Sequence, residues 1–193
     1  NEPLDKYFAR PLAQAYVDYM PTVIQVAARN YFNNIDDLFS VVNDFLQWKL
    51  DKAGNDIARV MINTGFGFAG LIDIASDLSI PRGNEDFGQT FGYWGIPQGP
   101  YLFIPLWGPS TVRDGTGSIL RYWWSPNNEI PNVPVRNVIY GFGAVDARAQ
   151  LLGASSLLDQ ASIDPYTFVR RAYLQRREYL VYDGNPPKEK DED

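Results

Sequence analysis

Apolar residues recur at three- and four-residue steps along most of this chain, which is the spacing of amphipathic helices. In the first half this pattern predicts helices over residues 5–19, from 21 to a break at Asn33-Asn34, and from 36 to 54. The third of these is the most clearly amphipathic, because its apolar positions fall on one face. A capping Asn55 then predicts a fourth helix, and small residues at 65, 67, 69 and 70 lead into residues 71–78. Those small residues suit either close helix contacts or a tight helix junction.

The second half continues the helical pattern after a proline-rich interruption. Ser110 is the predicted cap of a helix that reaches Trp124, and residues 126–134 form a polar loop. A long helix is expected over residues 134–152, and Asp164-Pro165 begins a terminal helix that Gly184 ends. No segment alternates as a strand would. The chain is therefore predicted to be all-α, with one helical domain over residues 1–184 and a disordered polar tail over 185–193.

Residues 84–114 interrupt this pattern with glycines, prolines and large apolar side chains. The prolines break the stretch, and between them lie Tyr101, Leu102, Phe103, Ile104, Leu106 and Trp107. A loop is normally polar because its backbone must stay hydrated. A loop that is both proline-broken and apolar must therefore be covered by protein or face something other than water.

Composition narrows the classes of function. Hydrophobic residues make up 45% and aromatic residues 15% of the chain, more rings than a core of this size needs, so some rings are expected to face lipid, sugar or protein. A net charge of −6 without a basic face argues against nucleic acid. The absence of Cys and His excludes disulfides, thiol nucleophiles, the usual zinc sites and His-based triads. We expect no catalytic residues, no metal and no cofactor.

Two acidic motifs have a catalytic and a structural interpretation. Glu85-Asp86, near Trp94 and Tyr101, could form the carboxylate pair of a glycosidase. Adjacent helical residues point about 100° apart, however, and first-turn acids favour the helix dipole, so a capping role is preferred. Arg113-Asp114 is interpreted as an orienting ion pair near a helix start.

The motifs EDFGQTFGYWG, GPYLFIPLWGPS and VRDGTG resemble the signature of the MlaA/VacJ family. The blocks RPLAQAYVDYMP, RNYFNNIDD, VVNDFLQWKLDKA, RVMINTGFGFAGLIDIASDL and DPYTFVRRAYLQRREYLVYDG agree with it in family order. Members of this family are outer-membrane lipoproteins of Gram-negative bacteria that take part in retrograde phospholipid transport. The resemblance covers nearly the whole chain.

The resemblance implies a non-enzymatic function in maintaining lipid asymmetry. Helices would lie in the membrane plane around a central passage, through which mislocalised phospholipid leaves the outer leaflet. The implied partners are phospholipid, a trimeric outer-membrane porin and a soluble periplasmic lipid carrier. The implied location is the periplasmic leaflet of the outer membrane, with a lipid anchor in the precursor that this chain does not contain.

Chemistry, and not the family signature, selects the candidate functional residues. The apolar loop residues Tyr101, Leu102, Phe103, Ile104, Leu106 and Trp107, together with Gly65, Phe66 and Gly67, are expected to form the channel or its gate. Gly95, Gly99 and Gly108 are the expected hinges of that loop. Arg170, Arg171, Arg176 and Arg177 of the terminal helix are candidate partner contacts, although lipid phosphates or solvent are alternatives.

A second class of function is a periplasmic carbohydrate-binding or glycoside-acting protein that uses the aromatic and acidic residues. Behaviour in detergent discriminates the two classes. A lipid conduit should need detergent or aggregate without it, whereas the periplasmic protein should be monodisperse in water.

Overall fold

A computed structural model of the chain describes residues 2–104, 108–155 and 164–187. Leu106 and Trp107 of the predicted gate, and the end of the predicted tail from residue 188, lie outside the described residues. The helices are α1 (Glu2–Leu4), α2 (Arg10–Tyr19), α3 (Thr22–Leu46), α4 (Leu50–Gly65), α5 (Ile74–Asp77), α6 (Phe87–Tyr93), α7 (Val112–Trp123), α8 (Val133–Gln150) and α9 (Pro165–Val181). A π-helical turn, Asp5–Ala9, joins α1 to α2, and a 3₁₀ turn, Pro126–Glu129, follows α7.

The helices pack mainly in pairs. α3 lies along α4, α6 packs against α7, α2 packs against α8, and α9 contacts α6. The apolar core is small: Ile35, Phe39 and Phe87 form its buried cluster, at the place where α3 meets α6. None of the helices in the described ranges is long and apolar enough to cross a membrane.

The predicted break at Asn33-Asn34 is wrong, because α3 runs unbroken from Thr22–Leu46. The unfavourable helix propensity of asparagine amounts to only about 0.5 kcal/mol per residue, so tertiary contacts outweigh it. The side-chain amide of Asn34 donates to Thr64 Oγ1 of α4 at 2.9 Å. Asn34 thus faces α4, and the pair does not end the helix.

The boundary between the next two helices also differs from the prediction. α3 ends at Leu46, and a turn with Trp48 in the left-handed region (φ 60°) leads into α4 at Leu50. Asn55, the predicted cap, therefore lies inside α4. The turn is stabilised by Lys49 N, which donates to Asp44 O at 2.9 Å, a local helix-end closure in which Trp48 takes the left-handed position that usually belongs to glycine.

A two-stranded antiparallel hairpin contradicts the prediction that the chain has no strand. β1 (Tyr101–Ile104) pairs with β2 (Gly108–Thr111), with Tyr101 opposite Thr111 and Ile104 opposite Gly108. Strands of this length are too short to show alternation in a sequence. Both strands are edges, so Pro109 can stand opposite Phe103 without removing an interior ladder bond.

Most predicted helix ends are confirmed. Asp86 accepts from Gln89 N at the start of α6, and Asp164 accepts from Thr167 N at the start of α9. Gly184, with φ 88°, closes α9 through its amide bond to Tyr179 O. The cap of α7 is Thr111, the last residue of β2, which accepts from Asp114 N; the predicted cap Ser110 lies one residue too early.

Candidate functional site

The largest of the fully buried side chains in the described residues are polar. They are Arg59, Gln47, Gln89, Asn43, Thr90, Thr111, Asp37, Asp44, Asp56 and Ser40, whereas the apolar residues buried to the same degree are the small Ala13, Ala53 and Ala75. Large apolar side chains lie on the outside, with Tyr19 86%, Trp48 79% and Phe66 77% exposed. Proteins surrounded by water show the reverse distribution, and large exposed apolar patches mark contact with a membrane or another protein. The polarity of this molecule is therefore inverted.

Helix α3 shows the inversion most clearly. Its apolar positions Leu38, Val42 and Phe45 share one face, as the sequence predicts, and all of them are exposed. The opposite face carries Asp37, Ser40, Asn43, Asp44 and Gln47, and it is this face that is buried. The helix therefore turns its polar side toward the interior.

Arg59 of α4 connects this polar face to α5. Its Nε donates to Asp37 Oδ2 at 3.0 Å, and its Nη2 donates to both carboxylate oxygens of Asp73 at 3.1 Å. Arg82 also pairs with Asp37. Burial raises the pKa of Asp37, against the charges of Arg82 and Arg59, which lower it. Each buried charge in this group thus has a partner, which offsets its cost of desolvation.

Asp44 of α3 and Asp56 of α4 form a second buried group. Both are fully buried, and Asp56 Oδ1 accepts from Gly83 N at 2.9 Å. Burial, then the neighbouring charges of Asp56 and Glu85, raises the pKa of Asp44 to about 7. Like charges that close favour sharing one proton between the two carboxyl groups.

Glu85 is neutralised by two lysines. Lys49 Nζ lies 3.0 Å and Lys52 Nζ 2.8 Å from Glu85 Oε1, and the same nitrogens lie 2.7 Å and 2.5 Å from Asp183 Oδ1. Asp183 follows α9, so the cluster ties the end of α9 to the start of α4. Lys49 and Lys52, which the sequence placed at the end of the third helix, belong to this cluster instead.

A cavity of about 410 Å³ opens beside the polar interior, between α3, the segment before α6, α7 and α9. Small-molecule sites have volumes of roughly 300–1,000 Å³. Its lining is predominantly polar and consists of Asp36, Phe39, Ser40, Asn43, Asn84, Glu85, Asp86, Phe87, Asp114, Gly117, Ser118, Arg121, Tyr173 and Arg177. This cavity is the candidate site.

Arg177 is the buried cation of the cavity. Its Nη1 and Nη2 lie 2.6 Å and 2.8 Å from the carboxylate oxygens of Asp86, and Nη2 lies 2.9 Å from Asp114 Oδ1. Burial alone would lower the pKa of Arg177, but its bonds to Asp86 and the charge of Asp114 raise it. Tyr173 completes the group by donating to Asp114 Oδ2 at 2.8 Å. Arg177 therefore fixes α9 to α6 and α7.

Arg121 is the accessible cation of the cavity. Its Nε donates to Asp36 Oδ1 at 3.0 Å, and both side chains are 45% exposed. The guanidinium carbon lies 5.6 Å from the ring centroid of Phe39, a cation–π distance. The sequence analysis missed both Asp36 and Arg121. The regular spacing of Asp36, Ser40 and Asn43 along α3 was the available signal for the first of them.

The predicted glycosidase pair is incompatible with these contacts. Asp86 caps α6 and pairs with Arg177, so the capping role is confirmed for this residue. Glu85 pairs instead with Lys49 and Lys52. The Arg113–Asp114 ion pair is confirmed, with Nε and Oδ1 3.4 Å apart. The carboxylates of the pair are thus committed to separate structural contacts.

The hairpin residues lie near the cavity but do not line it. The Tyr101 ring packs against Tyr166 and Tyr173, at centroid distances of 5.9 Å and 6.1 Å. Tyr173 lines the cavity, so it connects the hairpin to it. Leu102 and Phe103 are exposed, and Ile104 is half-buried.

The predicted hinge glycines have the backbone geometry that suits them to turns. Gly95, Gly99 and Gly108 have φ values of 84°, 69° and 87°, in the left-handed region that other residues adopt at a cost. The hairpin base is also fixed by backbone bonds from Val112 N to Pro100 O and from Arg113 N to Gln98 O, both 3.2 Å. Any movement of the hairpin about Gly99 must therefore break these two bonds.

The glycine-rich turn after α4 lies away from the described cavity lining. A Cβ on Gly67 would lie 2.2 Å from Ile72 O, so this glycine permits a close backbone approach. Gly65 has no such neighbour, and the Phe66 ring points outward. The structure thus supports the tight-junction interpretation of Gly67.

The terminal arginines divide into two groups. Arg170, Arg171 and Arg176 are exposed on α9. Arg177 is buried in the ion pairs described above, so its expected role as a partner contact is revised. Its position one residue after Arg176 rotates it by about 100° around the helix, away from the exposed side.

Comparisons with known proteins assign the family. The family model described as MlaA lipoprotein matches residues 1–180. The chain belongs to the MlaA lipoprotein family. Among curated MlaA relatives, the intermembrane phospholipid transport system lipoprotein of Haemophilus influenzae is 35% identical, covering 94% of this chain and 73% of the relative. The Escherichia coli MlaA protein of the same name is 33% identical, covering 94% and 72%.

A solved MlaA-type structure shares the fold. It comes from work on the structural basis for maintenance of bacterial outer membrane lipid asymmetry, and it superimposes with a TM-score of 0.79. The sequence identity is 31%, and the match covers 92% of this chain and 90% of that one. The predicted family and the mainly helical fold class are therefore confirmed.

Proposed function

We propose that this chain is the outer-membrane component of a retrograde phospholipid transport system and removes mislocalised phospholipid from the outer leaflet without hydrolysing it. The observation that carries the proposal is the inverted polarity: a polar cavity and polar helix faces lie inside a molecule with apolar side chains outside. The names of the curated relatives, which describe phospholipid transport, point to the same function.

Inverted polarity gives a charged headgroup a path that avoids hydrocarbon. Moving an unpaired charge from water into an apolar medium raises its free energy by several kcal/mol or more. A passage lined by carboxylates, hydroxyls and guanidinium groups exchanges water for fixed polar partners and reduces that cost. The exposed apolar side chains would contact acyl chains, with the helices lying in the plane of the periplasmic leaflet.

The hairpin is the proposed gate of this passage. Residues Tyr101, Leu102, Phe103 and Ile104, followed by Leu106 and Trp107, would cover or uncover it, moving about Gly99 and Gly108. Tyr101 is the contact through which such a movement would reach the cavity, because its ring packs on Tyr173. Gly65, Phe66 and Gly67 would form the opposite wall of the passage, at a distance from the described cavity.

The remaining partners follow from the same proposal. The chain would hand its phospholipid to a soluble periplasmic carrier and associate with a trimeric porin. Arg170, Arg171 and Arg176 of α9 are the candidate contacts with such a partner, because they are exposed and carry the same charge. A lipid anchor on the precursor would hold the protein at the membrane. Among the described residues no contact favours a sugar-acting function, since Glu85 and Asp86, the acids that suggested it, are held in ion pairs.

A crosslink between hairpin and α7 tests the gate. A Cβ on Gly115 would lie 4.0 Å from Ile104 Cδ1, so cysteines at these positions would join β1 to α7. The chain has no native Cys, so a bifunctional thiol reagent would react only there. We expect cells with only the crosslinked protein to accumulate surface phospholipid, measured by a membrane-impermeant amine label.

The two single-cysteine variants, treated in the same way, are the matched controls. Both should keep surface phospholipid at the level of cells with the unmodified chain. Normal lipid asymmetry with complete crosslinking would refute the hairpin as the gate, while leaving transport through another opening untouched.

A further inference from the structure

The Arg121–Asp36 ion pair differs from every other ion pair in the described cavity lining. Arg177 pairs with both Asp86 and Asp114, and Asp114 also pairs with Arg113. Glu85 pairs with Lys49 and Lys52. In each of those pairs at least one member is largely buried, whereas Arg121 and Asp36 are both 45% exposed. Because an exposed ion pair adds little stability, opening this pair would cost the fold little.

The two members are positioned to accept a ligand with two opposite charges. Phe39 lies under the Arg121 guanidinium and restricts its orientation. The Nε–Nη2 edge of Arg121 donates to Asp36 Oδ1, and once that pair opens the same edge can donate to two phosphate oxygens. Asp36, once released, needs a new cation. A ligand that brought only a phosphate would leave Asp36 without a cation, and the negative phosphate would repel its carboxylate.

We propose that Arg121 and Asp36 form a headgroup subsite that selects a phosphodiester carrying a primary ammonium group, as in a phosphoethanolamine headgroup. The phosphate replaces Asp36 at the guanidinium of Arg121, and the ammonium replaces Arg121 at the carboxylate of Asp36. The exchange conserves charge, since one ion pair becomes two. This inference rests on the proposed phospholipid transport, to which it adds a headgroup preference.

The test is competition between lipids in mixed micelles that contain equal amounts of phosphatidylethanolamine and phosphatidylglycerol. The purified chain is recovered from the micelles, and its bound lipid is extracted and quantified by mass spectrometry. For the original chain we expect phosphatidylethanolamine to be enriched about 1.5-fold to fivefold, the effect of gaining one partly exposed ion pair.

Two variants give opposite signatures that a merely structural role would not produce. Asp36→Asn removes the repulsion of anionic headgroups, so the bound lipid should shift toward phosphatidylglycerol. Arg121→Gln removes the phosphate partner, so total bound lipid should fall. The double variant Asp36→Arg/Arg121→Asp restores a pair in reversed order and should recover the phosphatidylethanolamine preference.

Matched controls remove the same charges outside the described cavity lining. Arg136→Gln on α8 and Asp51→Asn on α4 should leave the bound ratio unchanged. Circular dichroism should show equal helix content for all variants. Soluble glycerophosphoethanolamine serves as a competitor: if it displaces lipid at similar concentration, the subsite recognises a free headgroup, and if it does not, the acyl chains are required.

The outcomes separate this inference from the function on which it rests. Intact phospholipid bound at the same ratio by the original chain and by Asp36→Asn would overturn the headgroup subsite alone. An original chain that binds no phospholipid, or that releases lyso-phospholipid and fatty acid, would overturn the transport function as well.

Discussion

Replacing Asp44 by Asn should remove a pH dependence of stability that the buried carboxyl pair creates. In the folded chain the pKa of Asp44 is raised from 3.8 to about 7 by burial and by its acidic neighbours. The pKa is higher in the folded state than in the unfolded state, so the contribution of Asp44 to stability is fully present below pH 3.8 and declines as the pH rises through about 7.

The magnitude follows from the size of the shift. A displacement of one pKa unit corresponds to about 1.4 kcal/mol, so a shift of roughly three units sets an upper limit of about 4 kcal/mol. Burial raises the pKa of the neighbouring Asp56 as well, so the two carboxyl groups titrate as a pair and the limit applies to the pair. The chain has no His, the side chain that normally titrates in this range.

The assay is unfolding of the detergent-solubilised protein, followed by circular dichroism between pH 4.5 and 8. We expect the free energy of unfolding of the original chain to fall by about 1–4 kcal/mol over this range. Asp44→Asn should show a much flatter profile and exceed the original chain in stability at pH 8, because its neutral amide carries no buried charge.

Asp51→Asn is the matched control, since Asp51 is exposed in the first turn of the same helix that carries Asp56. It should keep the pH profile of the original chain. Equal slopes for the original chain and for Asp44→Asn would refute the assignment of the titration to the buried pair.

Two further substitutions test the packing of α9 and α8. Arg177→Gln should lower the free energy of unfolding by about 1–3 kcal/mol, because Asp86 and the buried Asp114 lose their charged hydrogen bonds to this guanidinium, while Arg176→Gln on the exposed side should change it little. Equal thermal stability of the two variants would contradict the buried network. Gly143→Val should destabilise the chain by about 1–3 kcal/mol, since a Cβ there would lie 2.6 Å from the Phe32 ring. Gly141→Ala, where nothing lies within 4 Å, should be neutral or stabilising, and an equal loss at both glycines would exclude the clash as the cause.

Residues close together in the sequence were sufficient to predict the helix ends that depend on side-chain capping. Asp86 and Asp164 were identified as caps because a side-chain oxygen at a helix start accepts from an amide three residues later. The three- and four-residue spacing of apolar positions likewise indicated the helices and the faces they share. These signals act over one or two turns, which is the distance over which a sequence pattern is informative.

Tertiary contacts decided the elements that the sequence analysis missed. The Asn33-Asn34 pair favoured a helix end, yet the bond from Asn34 to α4 keeps α3 continuous. The strands of the hairpin are too short for alternation to show. Their register depends on which residue before 105–107 pairs with which residue after them. The residue pattern within one strand does not show this pairing.

Which face of an amphipathic helix points to the interior is the clearest feature that the structure decides and the sequence does not. Periodicity shows that Leu38, Val42 and Phe45 share a face of α3, but it carries no information about which face meets the interior. Burial of the Asp37 and Asp44 side required partners from α4 and the segment before α6, such as Arg59. The candidate site likewise joins Asp36 to Arg121, which are 85 residues apart in the chain. The sequence by itself therefore determined the helices and the family, whereas only the fold could bring together the distant charges that make a polar interior stable.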